Sequence, residues 1–219
     1  MVFHTEALPR EPELPPYQGI ALADIRLVRT AEEAQAAQAA LLAHDAIGFD
    51  TESKPTFVKG QSSDGPHLVQ FADERTAWLF PIGPDVAPLL PALKAILEST
   101  HTLKVGFGLA DDVKRLRAKL AIEAASVADL SKALRVPGQK HDLGAKSAVA
   151  QYFGRKLQKS KKISTTNWAA PRLTDKQLLY AADDAQVALR LYRHWLALGN
   201  RLSATKAPRP RRPAATPES

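Results

Sequence analysis

The chain contains no cysteine among its 219 residues. Without thiols it can form neither disulfide bridges nor thiolate zinc sites, and it offers no thiol nucleophile. It also lacks an apolar run approaching the ~20 residues that cross a bilayer, so no membrane partner is expected. The first residues, MVFHTEALPREPELPP, lack the charged-then-apolar layout of a secretory signal, so the cytoplasm is the expected location.

Three other kinds of site find little support in the sequence. No serine stands in a G-x-S-x-G elbow, and the six histidines show no metal-ligand spacing. Gly106 and Gly108 begin a G-x-G-x-x-G pattern, but Asp111 replaces its third glycine. A carboxylate there would repel a pyrophosphate at the helix N-terminus. An oxidoreductase that binds a dinucleotide therefore stays a rival hypothesis that rests on a broken fingerprint.

Positive charge is what the chain has in excess, with a net charge of +7 and a pI of about 9.7. This balance favours an anionic partner. The lysines concentrate in GRKLQKSKK, which holds Lys156, Lys159, Lys161 and Lys162, and arginines concentrate after residue 200. The acidic motifs lie outside both clusters. Basic flanks beside an acidic pocket suit a polyanion whose reacting phosphate is held by metal.

The pattern predicts an extended proline-rich arm over 1–18, a domain over 19–200 and a basic, disordered tail over 201–219. Within the domain, the predicted strands span 46–52, 67–73, 76–82 and 103–108. The predicted helices span 30–45, 91–99, 110–120, 141–154 and 174–199, and residues 126–134 hold a short strand that enters a helix. This order indicates an α/β fold with a mixed sheet, antiparallel in its first three strands and then parallel, flanked by helices.

Two of the acidic motifs place their side chains on a common face. Asp50 and Glu52 in IGFDTES are two apart on a strand, so they point the same way at the rim of the core. Tyr180 and Asp184 in YAADDAQ are four apart on a helix and share one side, whereas Asp183 is expected to be exposed. Clustered carboxylates of this kind repel each other unless a cation lies between them. Oxygen-only ligands favour Mg²⁺ or Mn²⁺.

A further pair of acids, Asp111 and Asp112, opens a helix directly after a strand. Acids in a first helical turn complement the helix dipole, so this pair has a structural explanation of its own. The pair nevertheless supplies a fourth carboxylate at a strand-to-helix junction, where the ligand-binding sites of α/β proteins are commonly found.

Together these motifs resemble those of a known family. FDTE at 49–52, Asp112 in GLADDVKRL and YAADD at 180–184 resemble the three motifs of the DEDD 3′–5′ exonucleases, which have the ribonuclease H-like fold. The tyrosine subtype is indicated, because Tyr180 precedes Asp184 by four residues and the histidine of the other subtype would fall at Leu179. The stretch 157–185 is similar to Werner-syndrome-type exonuclease domains, and ribonuclease D shares the tyrosine motif.

The resemblance implies hydrolysis of phosphodiester bonds from a 3′ end by a two-metal mechanism that releases nucleoside 5′-monophosphates. Asp50, Glu52 and Asp184 would hold the metal that activates water. Asp50 would bridge to a second metal, supported by Asp112, and Tyr180 would orient the water or the phosphate. The Werner-type likeness favours DNA, and with it a role in DNA repair. Processing of RNA 3′ ends and a catalytically silent nucleic-acid-binding domain are the alternatives.

Contacts with the nucleic acid are expected from other residues. Lys159, Lys161 and Lys162 could hold backbone phosphates, or they could form a solvated loop. Trp168 could stack on a base, or it could pack this loop against the domain. Phe57, after the first motif, is a candidate wedge beside the terminal nucleotide.

Overall fold

A computed structural model describes residues 13–56, 63–135, 138 and 141–202. Phe57 and most of the basic tail lie outside these residues. Within them, six strands form one sheet in the order β1-β4-β3-β2-β5-β6. The strands are β1 (Ile25–Leu27), β2 (Ala46–Glu52), β3 (Leu68–Ala72), β4 (Ala77–Pro81), β5 (Leu103–Gly106) and β6 (Val127–Asp129). β2, β3 and β4 are antiparallel neighbours, while β5 and β6 continue the sheet in parallel. The mixed α/β sheet is thereby confirmed, and among its described strands the three-residue β1 is the one that the sequence did not predict.

Helices cover both faces of this sheet. They are α1 (Ala31–Leu42), α2 (Leu90–Glu98), α3 (Ala110–Leu120), α4 (Leu130–Ala133), α5 (Ala145–Phe153), α6 (Lys161–Ser164) and α7 (Asp175–Ala197). Capping boxes at Thr30 and Thr174 start α1 and α7. The helix predicted over 141–154 was too long at its start, because the chain reaches Gly144 in an extended conformation. None of the helices in the described part of the chain combines the length and apolarity that crossing a bilayer requires.

The two faces of β2 contact different layers of helices. Ile47 and Phe49 belong to one apolar cluster with residues of α1, α2 and α3. The opposite face meets α7 so closely that a Cβ atom added to Gly48 would lie 1.9 Å from the carbonyl oxygen of Ala185. Only glycine permits this approach. The helix that carries the third motif therefore lies directly on the strand that carries the first.

The segment before β1 packs against the loop at Lys156 and against α7. Tyr17 N–H donates to the carbonyl of Lys156 (2.9 Å), and Lys156 N–H donates to that of Pro15 (2.8 Å). Ile20 N–H donates to Asp183 Oδ1 (2.8 Å). The expectation that Asp183 is exposed was wrong, because this carboxylate is half-buried as the acceptor that fastens the segment to α7.

Candidate active site

Three carboxylates meet where β2 ends beside α7. Asp50 and Glu52 project from the face of β2 that α7 covers, and Asp184 projects toward them from α7. One oxygen from each of the three lies within 4.8 Å of the others. Residues distant in the chain thus share one cluster, because α7 rests on β2 at Gly48.

Burial and mutual repulsion act together on this cluster. Burial, followed by the charges of Asp184 and Asp112, raises the pKa of Asp50 well above its ordinary value. Burial and the charge of Asp50 raise the pKa of Glu52 to about 9. Burial likewise raises the pKa of Asp184. These groups can all ionise near neutral pH only if positive charge joins them. An all-oxygen, acidic donor set suits a hard divalent ion.

Lys159 brings one positive charge to the cluster. Its Nζ lies 2.8 Å from Asp184 Oδ2 and 5.4 Å from the centre of the Tyr180 ring. Burial alone would lower the pKa of Lys159, but Asp184 and Asp50 raise it above its ordinary value. The ammonium group therefore stays charged, and it contacts a carboxylate of the cluster.

Asp112 approaches from the other face of the sheet. It belongs to α3, which packs on the Phe49 side of β2, and its Oδ1 accepts a hydrogen bond from the hydroxyl of Thr51. Asp112 is buried, and burial raises its pKa, whereas its neighbour Asp111 is exposed. It lies outside the group of three oxygens but close enough for its charge to raise the pKa of Asp50.

Tyr180 lies one helical turn before Asp184 and is buried. Its ring centre is 5.9 Å from that of Trp168. Burial and the charge of Asp184 raise the pKa of Tyr180 above its ordinary value of 10.0. The phenol therefore stays protonated at neutral pH, and its hydroxyl is available as a hydrogen-bond donor beside the carboxylates.

Similarity to known proteins extends over this sheet and its helices. A family model described as 3'-5' exonuclease matches residues 25–198. This chain belongs to that family. The mouse bifunctional 3'-5' exonuclease/ATP-dependent helicase WRN is 27% identical over 157 residues, which are 71% of this chain and 11% of that protein. Ribonuclease D of Pseudomonas paraeruginosa is 30% identical over 142 residues, which are 64% of this chain and 35% of that protein.

Solved structures of such exonucleases share the fold. RNase D of Trypanosoma brucei superposes with a TM-score of 0.70 at 21% identity, over 78% of this chain and 64% of that one. RNase D of Escherichia coli, an exoribonuclease, gives a TM-score of 0.63 at 26% identity, over 80% of this chain and 46% of that one. The ribonuclease H-like fold is thus confirmed. The chain spans only 11% to 17% of the length of mouse WRN and fruit-fly exonuclease 3'-5' domain-containing protein 2.

The other residues that the sequence predicted as nucleic-acid contacts differ in burial where the structure describes them. Trp168 is 2% exposed, and its Nε1 donates to the carbonyl of Ser164 (3.2 Å), so it packs the loop before α7 against the domain. Lys161 and Lys162 lie exposed on α6. The interaction of these two lysines with a nucleic acid stays a prediction, as does that of Phe57, whose position lies outside the described residues.

Three residues that pack beside the carboxylates were not singled out from the sequence. Gly48 sets the distance between β2 and α7, and Thr51 holds Asp112. Gln70 pairs opposite Asp50 across the sheet, is fully buried, and has no hydrogen-bond partner for its amide among the described residues. A glycine in the buried part of β2 and a single polar residue in the apolar strand β3 are the signals that point to Gly48 and Gln70.

Proposed function

We propose that this domain is a metal-dependent 3′–5′ exonuclease of the tyrosine subtype, which removes nucleoside 5′-monophosphates from the 3′ end of a nucleic acid. The observation that carries the proposal is the group of oxygens from Asp50, Glu52 and Asp184 within 4.8 Å of one another. Tyr180, one turn before Asp184, supplies the residue that defines the subtype. Membership of the 3'-5' exonuclease family supports the same reaction.

The residues present fit a pair of divalent ions, Mg²⁺ or Mn²⁺. Asp50, Glu52 and Asp184 would hold the first, because they offer only oxygen ligands and lack the positive charge to ionise together otherwise. Asp50 and Asp112 would hold the second, with Thr51 fixing the Asp112 carboxylate. Ions of this kind supply an activated water and stabilise the charge that develops on the phosphate and the leaving oxygen.

The chain's own side chains position the reactants. The Tyr180 hydroxyl stays protonated, so it donates a hydrogen bond that orients the attacking water or the scissile phosphate and does not remove a proton itself. Lys159 keeps one positive charge 2.8 Å from Asp184 Oδ2, and in this proposal it also attracts a phosphate of the substrate. The 3′ hydroxyl of the shortened strand and a nucleoside 5′-monophosphate are the products.

The domain acts on DNA in our primary hypothesis, because the stretch 157–185 is similar to Werner-type exonuclease domains. Processing of RNA 3′ ends is the second candidate. It is favoured by the likeness to ribonuclease D of Pseudomonas paraeruginosa and to the Trypanosoma brucei RNase D that was solved with RNA U12. Rates on matched single-stranded DNA, recessed-end duplex and RNA, each with Mg²⁺ and with Mn²⁺, decide between the two.

Degradation of a 5′-labelled oligonucleotide in Mn²⁺ tests the activity itself. We expect a ladder that shortens from the 3′ end, its disappearance with a chelator, and its loss in Asp184→Asn. Asp111→Asn is the matched control, since Asp111 is an exposed acid one residue before Asp112. A folded Asp184→Asn protein with wild-type activity would overturn the assignment, and a wild-type protein that binds strands without shortening them would favour a silent binding domain.

A further inference from the structure

Residues 13–20 form the N-terminal segment, which precedes the first strand and the residues 25–198 that match the exonuclease family. Two successive prolines, Pro15 and Pro16, begin its course. A proline disfavours the helical conformation of the residue before it, so the chain is extended at this point. Pro16 accordingly forms a parallel bridge with Lys156, which lies in the loop between α5 and α6.

The loop between α5 and α6 is fastened to the N-terminal segment through its backbone. Lys156 N–H donates to the carbonyl of Pro15 (2.8 Å), and Tyr17 N–H donates to the carbonyl of Lys156 (2.9 Å). Within the described part of the chain, these two backbone hydrogen bonds are the ones that join residues 155–159 to another segment. The loop therefore takes its position from the N-terminal segment, together with the burial of Leu157.

The N-terminal segment is in turn anchored on α7. Ile20 N–H donates to Asp183 Oδ1 (2.8 Å), and Arg190 Nη1 donates to the carbonyl of Gln18 (3.2 Å). α7 is a firm base for these contacts, because its 23 residues pack on the sheet through a long buried face. The segment thus fixes the loop relative to the helix that carries the third motif.

Gly19 permits the close contact between the segment and α7. A Cβ atom added to Gly19 would lie 2.0 Å from Asp183 Oδ1, a separation that non-bonded atoms do not reach. A larger residue would displace either the segment or this carboxylate. Either movement would lengthen or break the hydrogen bond from Ile20, because the same oxygen accepts it.

Lys159 is the active-site residue that depends on this arrangement. It follows Lys156, where the segment holds the loop, by three residues. Its Nζ lies 2.8 Å from Oδ2 of Asp184, which belongs to the helix on which the segment is anchored. The segment therefore links the backbone that carries the ammonium group to the helix that carries its partner. A misplacement of ~1 Å at an active site can lower a rate by about a hundredfold.

We propose that the N-terminal segment is a positioning element of the active site, which holds Lys159 at the carboxylates. The inference rests on the proposed exonuclease function and deepens it, because it adds residues before the family-matched range to the machinery. Asp183 and Gly19 act through the segment, and the segment acts through Lys159. None of the three contacts the reacting atoms except Lys159, which attracts a phosphate of the substrate.

Two variants loosen the segment from opposite sides of one contact. Asp183→Ala removes the acceptor of the Ile20 bond, and Asp183→Asn is the matched control, because its amide oxygen still accepts that bond after the charge is lost. Gly19→Ala displaces the segment without a change of charge. Ile96→Val destabilises the buried cluster on the opposite face of the sheet and leaves the segment untouched. Each change is made alone and together with Lys159→Gln.

Initial rates on a 5′-labelled strand at saturating Mn²⁺ give kcat. For Asp183→Ala, Gly19→Ala and Lys159→Gln we expect kcat to fall by about tenfold or more, and for Asp183→Asn and Ile96→Val to stay within about twofold of wild type. In the Lys159→Gln background, Asp183→Ala should lower kcat by no more than about twofold, because the residue through which the segment acts is already gone. Urea unfolding confirms that every variant is folded at the assay temperature.

Amide hydrogen exchange at Lys156 gives a second readout, which does not depend on cleavage. In the metal-free protein, Asp183→Ala and Gly19→Ala should speed this exchange by about tenfold or more, because the bond to the Pro15 carbonyl opens locally. Asp183→Asn should exchange at the wild-type rate.

Three results would overturn the proposal. The first is a loss from Asp183→Ala that is as large in the Lys159→Gln background as in the wild type, because the segment would then act by another route. The others are wild-type kcat in Lys159→Gln and unchanged exchange at Lys156 in both segment variants. Failure of the exonuclease function itself gives a different result, namely a wild-type protein that cleaves no strand although exchange at Lys156 still responds to Asp183→Ala.

Discussion

Helix α7 brings charged side chains to both ends of strand β2, and the charges are balanced at only one of the two ends among the described residues. Before β2, Asp45 receives a hydrogen bond from Arg193 Nη1 (2.9 Å), and Arg193 Nε bonds Glu74 (3.2 Å). The bonds from Arg193 lower the pKa of Asp45 to about 2. At the other end of the same strand, burial and repulsion raise the pKa of Glu52 to about 9.

The difference shows at which end of β2 the protein's own side chains neutralise the acidic groups. Acids and an arginine balance each other at the Asp45 end, where the groups are largely exposed. At the Asp50 end, Lys159 forms an ion pair with Asp184, and no such pair involves Asp50 or Glu52 among the described residues. Functional sites commonly keep such unfavourable charge. A substitution that relieved the repulsion would stabilise the protein, but it would also remove the groups that bind the ligand.

The largest contrast is expected in activity. Asp50→Asn removes a carboxylate from the cluster and should lower exonuclease activity by at least about a hundredfold, the upper range for loss of a metal site's supporting residues. Asp45→Asn, the same change at the opposite end of β2, should leave activity near wild type. Initial rates on a 5′-labelled strand in Mn²⁺ check both. Equal losses would mean that the carboxylates at the two ends do not differ in role.

A second test acts between the two ends, where α7 touches β2. Gly48→Ala places a methyl group against the carbonyl of Ala185 and should destabilise the protein by ~1–3 kcal/mol or more, because the helix has to move away. Exonuclease activity should fall with it, since Asp184 moves with the helix. Gly83→Ala is the control, as its new methyl group meets nothing within 4 Å. Urea unfolding of both variants measures the difference, and a neutral Gly48→Ala would contradict the packing described.

In the presence of a chelator, replacing a carboxylate by its amide should change the free energy of unfolding in opposite directions at the two ends of β2. Glu52→Gln removes a buried, repelled carboxylate and should stabilise the protein by ~1–3 kcal/mol, because a tenfold change in a protonation equilibrium corresponds to ~1.4 kcal/mol. Asp45→Asn breaks an exposed pair and should destabilise it by at most ~1 kcal/mol. Urea unfolding in chelator checks the signs. With Mn²⁺ added, Glu52→Gln should become less stable than the wild-type protein, because the variant binds the ion more weakly and is stabilised less by it.

The contributions of the two ends of β2 to stability should also depend on pH in opposite ways. Glu52 has a pKa raised from 4.5 to about 9, so the folded protein without divalent ions holds this proton longer than the unfolded chain does. That contribution is present below pH 4.5 and is lost as the pH rises toward 9. Asp45 has a pKa lowered from 3.8 to about 2, so its contribution is present above pH 3.8 and is lost as the pH falls toward 2.

Urea midpoints in chelator between about pH 3 and 9 measure both trends. The decline above about pH 5 should flatten in Glu52→Gln, and part of the decline below about pH 4 should disappear in Asp45→Asn. A midpoint that rises steadily over the alkaline half of this range in the wild-type protein would contradict the repulsion inferred at the Asp50 end.

The sequence predicted the residues at the Asp50 end of β2 better than the ion pairs at the Asp45 end. Periodicity places Asp50 beside Glu52 and Tyr180 beside Asp184, because strand and helix repeats fix which neighbours share a face, while the resemblance to the exonuclease motifs implied that the two pairs meet. Contacts between distant segments leave no such periodic mark. The bond from Lys159 to Asp184 and the acceptor role of Asp183 toward Ile20 depend on how separate segments pack, so local patterns left Lys159 in a loop and Asp183 in solvent. Gly48 was readable in principle, as a lone glycine in a buried strand.

The smallest expected effect concerns the lysines that sequence reasoning grouped with Lys159. Lys161 and Lys162 are exposed on α6, in contrast to Lys159, whose ammonium is held by Asp184. If both contact phosphates, Lys161→Gln with Lys162→Gln should lower the salt slope of single-strand binding by about 1.4 and leave cleavage of a dinucleotide unchanged. Binding is measured in the Asp50→Asn background, so that the strand is not degraded. The control variant is Lys94→Gln with Lys146→Gln, which changes two exposed lysines on α2 and α5. A slope equal to that of the control would remove Lys161 and Lys162 from the binding surface.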